Sequence, residues 1–260
     1  MEYPLNLQRG LSLVAGLTAG ASGLEVAYMH YRGSYSRRIM WTPILMSQSL
    51  LAAGLWGALH AEAASNILPA VSALTLADCG AGFFFHLRGI SRKPGGFRLL
   101  INNVCQGPPP FAPLLFGMSA YIGILAARVN RAHPRTLARH CAIVTGLSAL
   151  ASGTEALYSH YLNNFQYKVQ FAPLIVAPLL AVAAFLAPSE RSRHLLPSAS
   201  ALAIATGAIG CGYHLRGVLR RPGGRKHLLY NIIYGPPLLA PLLFAGAGFL
   251  GLVAALLRRN

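Results

Sequence analysis

The chain has 260 residues, 54% hydrophobic and 11% charged, with mean hydropathy +0.48 and 22 Lys and Arg against 6 Asp and Glu, a formal net charge of +16. A soluble domain carries about a quarter charged residues, so this composition excludes an ordinary water-soluble enzyme and indicates long segments inside a bilayer. The basic excess does not indicate nucleic acid, because Lys and Arg sit in short segments between apolar runs, as in membrane loops that meet anionic lipid headgroups.

A spanning helix needs about 20 apolar residues, and eight segments of the sequence read that way. The opening residues lead straight into the first of them, so no cleavable signal is expected and the first helix is expected to be retained. In chain order the segments are Leu11–Tyr31, Ile39–Leu59, Ile67–Leu87, Pro109–Ala127, Cys141–Tyr161, Val169–Ala187, Leu195–Leu215 and Pro236–Leu257. Pro43, Pro69, Pro173 and Pro197 fall near expected helix starts, where a missing N–H costs little. Pro113 and Pro241 are expected to kink the last helix of each group of four. His60 and Glu62 read as a solvated loop. Asn103 with Gly107-Pro108-Pro109, and Asn231 with Gly235-Pro236-Pro237, read as caps leading into those last helices.

Three blocks recur in the same order. Gly16–Tyr31 matches Gly146–Tyr161 at ten of sixteen positions, His86–Gly96 matches His214–Gly224 at eight of eleven, and Asn103–Phe116 matches Asn231–Phe244 at nine of fourteen. The sequence therefore reads as an internal duplication. The expected fold is an all-α integral membrane protein, with eight transmembrane helices in two tandem four-helix repeats, residues 1–130 and 131–260. Four helices is an even number, so the repeats share one orientation and are parallel rather than inverted.

Both termini then fall on one membrane face. The loops Arg32–Arg38, Arg88–Arg98, Leu162–Lys168 and Arg216–His227 fall on the other and carry 13 of the 22 Lys and Arg residues. The positive-inside rule makes this motif-bearing face cytoplasmic.

Acidic residues inside apolar spans need explaining, because a charge in lipid is expensive. Three qualify: Glu25, Asp78 and Glu155. Glu25 and Glu155 correspond in the two repeats, each followed by a tyrosine (Tyr28, Tyr158) and then a histidine (His30, His160). The third helix of each repeat ends in His86 or His214, followed by Arg88 or Arg216. First and third helices run parallel, so His30 and His86 share a depth, as do His160 and His214. Glu25 lies about 7.5 Å deeper and about 140° around the helix from His30, sharing a face with Tyr28 instead. Asp78 corresponds to Thr206, so this acid makes the first site different, with a proton-moving role as one reading.

Several readings fit these residues. Bis-histidine haem b would use His30 with His86 and His160 with His214, with Arg88 and Arg216 pairing with propionates. A non-haem metal, iron foremost, would take two histidines and Glu25 or Glu155 per repeat, with Tyr28 and Tyr158 as supporting donors. The basic Pro-Gly-Gly turns suit a transporter or a protein that binds an anionic ligand or lipid. A cofactor-free scaffold is the structural alternative, with the carboxyls and imidazoles holding helices together. Glu25, Glu155 and Asp78 are the candidates for proton chemistry. No P-loop, GxSxG elbow, HExxH motif or cysteine cluster is present, which argues against an NTP-driven pump or an ordinary hydrolase. Cys79, Cys105, Cys141 and Cys211 form no CxxC pair and read as free thiols. The leading reading is a membrane subunit of an oxidoreductase complex, passing electrons between a partner dehydrogenase and a quinone pool.

Overall fold

The structure is a computed structural model that describes residues 5–187 and 194–258. The opening four residues and most of the connection between Ala187 and Leu195 lie outside the described residues. Among the described residues every regular element is helical. The α-helices are α1 (Leu5–Arg32), α2 (Thr42–Leu59), α3 (Ala61–Ser91), α4 (Leu100–Cys105), α5 (Ala112–Arg128), α6 (Pro134–Tyr161), α7 (Ala172–Phe185), α8 (Leu195–Arg220), α9 (Leu228–Tyr234) and α10 (Ala240–Arg258).

All eight expected segments are helical, with different ends. Prolines 43, 113, 173 and 241 are each the second residue of a helix, so Pro113 and Pro241 start α5 and α10 rather than kinking them. Pro69 lies inside α3, which begins eight residues before it. His60 is the single extended residue between α2 and α3, and Glu62 stands in the first turn of α3. Both are exposed, but no loop separates these helices. A carboxylate there complements the positive end of the helix dipole.

Among the described residues six helices are long and apolar enough to cross a membrane: α1, α2 with the 3-10 turn before it, α3, α7 with its 3-10 turn, α8 and α10. The remaining two long helices, α5 and α6, have physical reasons to fall short. α5 has 17 residues, about 25 Å of rise. α6 is 28 residues long, but Glu155 and the Ser, Thr and Gly residues along it keep its hydropathy low. α5 is apolar and most of its residues are buried, whereas α6 keeps Ile143, Leu147, Leu150 and Leu157 exposed.

The first half is a square of antiparallel neighbours. α1 and α3 each pack along α2 and α5, leaving α1 and α3 on the diagonal. In the second half α6 and α8 each pack along α7 and α10 in the same way. The halves meet where α1 and α5 lie against α6 and α10. Small residues set the close approaches. A Cβ on Gly54 of α2 would stand 2.6 Å from Gly16 Cα of α1, and one on Gly23 would collide with Ser47. Ser72 and Gly123 abut between α3 and α5, as Ser200 and Gly251 do between α8 and α10.

Candidate functional site

His30, His86, His160 and His214 all lie at the same end of the bundle, near the C-terminal ends of α1, α3, α6 and α8. All four are partly buried. His30 and His86 stand within electrostatic range of each other, as do His160 and His214. Each half thus carries one histidine pair across its diagonal.

Every one of the four rings is held the same way. His30 Nδ1 bonds the Met40 carbonyl at 2.7 Å, and His160 Nδ1 bonds the Gln170 carbonyl at 3.0 Å. His86 Nδ1 bonds the Pro109 carbonyl at 2.5 Å, and His214 Nδ1 bonds the Pro237 carbonyl. A carbonyl oxygen only accepts, so Nδ1 carries the proton and Nε2 keeps its lone pair. That tautomer, fixed by a backbone carbonyl, is the one in which a histidine offers Nε2 to a metal.

The turn after α1 explains the first of these bonds. Ser34 and Tyr35 have φ of 55° and 45°, and Asn164 and Phe165 have φ of 51° and 48° after α6. Non-glycine residues there cost about 1–3 kcal/mol each and persist only where surrounding structure imposes them. Tyr35 N–H donates to the His30 carbonyl, Phe165 N–H to the His160 carbonyl, and Tyr35 Oη to the Ala27 carbonyl. The turned-back Tyr35 stacks on Trp41 at 4.1 Å between centroids and meets His30 edge-on. Phe165 stacks on Phe171 at 4.7 Å and meets His160 edge-on. The sequence reading missed these aromatics. Their signal was available, since an aromatic follows each first histidine by five and again by eleven residues.

The second anchoring bond depends on an irregular strap before the last helix of each half, residues 107–111 and 235–239. Pro108 packs on Gly89 of α3, where a Cβ would stand 3.0 Å from its ring, and Pro236 packs on Gly217 of α8. Asn103 and Asn231 are not caps for α5 and α10. Both are buried, and each Nδ2 donates to two carbonyls of the basic turn, Pro94 and Gly96 or Pro222 and Gly224. They brace turns in which Gly95 and Gly223 take left-handed φ of 76° and 78°.

Glu25 and Glu155 do not join the histidine pairs. Glu155 Oε1 accepts from Phe111 N–H at 2.7 Å and also bonds the Ala112 backbone, at the start of α5 in the other half. Glu25 bonds the Leu239 backbone just before α10 in the other half and its own neighbour Tyr28, whose hydroxyl accepts from Leu238 N–H at 3.3 Å. Tyr158 lies beside Glu155 with its hydroxyl lacking a well-formed hydrogen bond. Each carboxyl therefore serves helix-start N–H groups that have no partner within their own helix. Among the described residues no group of three or more His, Cys, Asp or Glu could hold a metal ion, so the two-histidine, one-glutamate set is not assembled.

Asp78 accepts from Thr42 Oγ1 at 2.5 Å and lies within electrostatic range of His30. Thr206, its counterpart, turns back to the Leu202 carbonyl of its own helix. Arg88 and Arg216 are exposed, just beyond His86 and His214. All four cysteines are free thiols.

No protein-family model, curated protein or solved structure matches this chain. Fold and site together define a class: a protein whose described residues are helical, with six helices among them fit to span a membrane and four carbonyl-anchored histidines at one end.

Proposed function

We propose that the chain is the membrane subunit of an oxidoreductase, with eight spans in two parallel repeats, 1–130 and 131–260, each repeat binding one haem b. The observation that carries this reading is the four-fold use of one device, a histidine whose Nδ1 is fixed on a backbone carbonyl and whose Nε2 is left to coordinate. Two imidazoles do not complete the shell of a bare metal ion, and among the described residues no group of three or more His, Cys, Asp or Glu could hold one. Two imidazoles do suffice for a porphyrin iron, which brings its own four nitrogens. The diagonal of a four-helix bundle is an established place for such a cofactor.

Bound haem would supply a one-electron couple. His30 and His86 would be its axial ligands in the first half, and His160 and His214 in the second. Arg88 and Arg216, at the outer ends of α3 and α8, would compensate propionate charge. Paired turn conformations at Ser34–Tyr35 and Asn164–Phe165, and at Gly95–Gly96 and Gly223–Gly224, support the duplication. The basic face would lie on the cytoplasmic side. Electrons would pass between a partner dehydrogenase and a quinone pool.

The test is an oxidised and a dithionite-reduced absorption spectrum of detergent-purified protein from haem-replete cells, with metal analysis of the same sample. A Soret band that sharpens on reduction, at about two haems per chain, is expected. A colourless, iron-free protein overturns the reading. A second reading, binding of an anionic lipid or ligand, rests on the acid-free basic turns and their exposed neighbours Ile101 (76%) and Leu229 (72%). It predicts a colourless protein whose thermal stability rises with anionic but not zwitterionic lipid.

A further inference from the structure

The two histidine pairs belong to different halves, but the straps that anchor His86 and His214 are also held by residues of the opposite half. The strap 107–111 is held at two points two residues apart. His86, from the same half, grips the Pro109 carbonyl. Glu155, from the other half, grips Phe111 N–H at 2.7 Å. The strap 235–239 is held in the mirrored way, with His214 of its own half on the Pro237 carbonyl and Glu25 of the other half on the Leu239 backbone. Tyr28 adds a third hold on that strap at Leu238 N–H.

Each gripping carboxyl also shares a helix with a histidine of its own half. Glu155 and His160 are both on α6, and Glu25 and His30 are both on α1. The connections therefore close into a ring. His86 reaches His160 through the first strap, Glu155 and α6. His160 faces His214, and His214 reaches His30 through the second strap, Glu25 and α1. His30 faces His86 and completes the circuit.

We infer that Glu25 and Glu155 are crossed positioning residues: each sets the strap-anchored histidine of the opposite half, and through them the two pairs are coupled, so that a ligand on one pair alters the other. The inference rests on the reading that the histidines carry a ligand, but the crossing itself concerns only where the rings are held. A rigid helix and a short strap, clamped at fixed hydrogen bonds, form a contiguous path that both sites can bias. Coupling of this kind is reciprocal, so the effect of the first pair on the second equals that of the second on the first. Prolines in both straps remove backbone freedom that would otherwise absorb a displacement.

Imidazole nitrogen NMR of the full chain in lipid nanodiscs, with 15N-labelled histidine, reads the crossing without any cofactor. Resonances are assigned with His86→Ala and His214→Ala. In Glu155→Ala the Nδ1 resonance of His86 is expected to move, while that of His214, in the same half as Glu155, stays. In Glu25→Ala the response reverses. Glu→Gln at either position removes the charge but keeps an oxygen acceptor, so it should move the opposite-half ring in the same sense but less than alanine does, and it remains informative if the alanine variant does not fold. Glu62→Gln, an exposed control, should move neither ring. Movement of the same-half histidine, or of neither, overturns the crossing. Haem titration into the same variants then reads the coupling. If the protein binds haem, H86A should change the affinity of the remaining second site several-fold relative to the affinity of that site in the wild type, and adding E155A should abolish the change. Equal affinity in H86A and wild type overturns the coupling. Absence of haem binding with the NMR crossing intact sinks the cofactor reading alone.

Discussion

The first and second halves hold their histidines identically and surround them differently. Around His30 the first half places Asp78, hydrogen-bonded to Thr42, whereas the second half has Thr206 at the matching position, bonded to its own helix. The first half also brings α1 and α2 together through facing glycines, Gly16 and Gly54, whereas the second half fills the corresponding space with the Phe185 ring against Gly146. Anchoring bonds run through backbone carbonyls, which exist at every residue and survive side-chain change. Charge and packing depend on particular side chains and are free to diverge. The frame is therefore common to the two halves, while the electrostatic setting of each pair is its own.

The largest effect expected is the loss of one site at a time. His86→Ala should remove about half the Soret absorbance and His214→Ala the other half, with the double variant colourless, as read by reduced-minus-oxidised spectra. Loss of the whole band in either single variant would mean that the halves share one site. The glycine contrast comes next. Gly54→Ala forces a Cβ against the Gly16 backbone and should destabilise the protein by about 1–3 kcal/mol, the usual range for overpacking, measured by steric trapping or reversible unfolding in detergent. The second half already carries Ala184 at the matching position. A neutral result would show that the two helix pairs are interchangeable.

Asp78→Asn sharpens the electrostatic difference. A carboxylate near a ligand favours its oxidised form, so its removal should raise the midpoint potential of one of the two proposed haems and leave the other in place. The change should be on the order of 1–2 kcal/mol for a unit charge about 10 Å away at an effective dielectric near 20. Thr206→Asp should lower the other potential. Equal shifts at both sites in a redox titration would remove Asp78 as the source of the asymmetry. Smallest is Gly80→Ala. A Cβ there meets nothing within 4 Å, so the variant should gain about 0.5–1 kcal/mol from helix propensity alone.

Much of the fold was legible in the sequence because hydropathy reports lipid exposure directly. All eight expected segments are helical, yet six satisfy the demands of a spanning helix by length and composition. α5 falls short by its length of 17 residues, and α6 by Glu155 and the Ser, Thr and Gly residues along it. Among the site residues, the histidines could be found from their recurrence. The partners of Glu25 and Glu155 could not, because helical periodicity relates a residue to its own helix and says nothing of a backbone N–H in the other half. Asn103 and Asn231 were misplaced for a related reason: a buried asparagine beside a proline strap resembles a helix cap until its two carbonyl partners are located.

By itself, then, the sequence determined a helical chain rich in apolar segments, with recurring blocks that repeat Glu, Tyr, His, His and Arg in order. Composition and periodicity are local properties, and water or lipid reads them directly. Only the tertiary structure decided that the carboxyls serve the opposite half, that all four imidazoles are fixed through Nδ1, and that Asp78 singles out one pair. Those choices depend on which backbone groups are left unpaired at helix starts and turns after the bundle has packed. No residue carries that information until its neighbours from distant segments are in place.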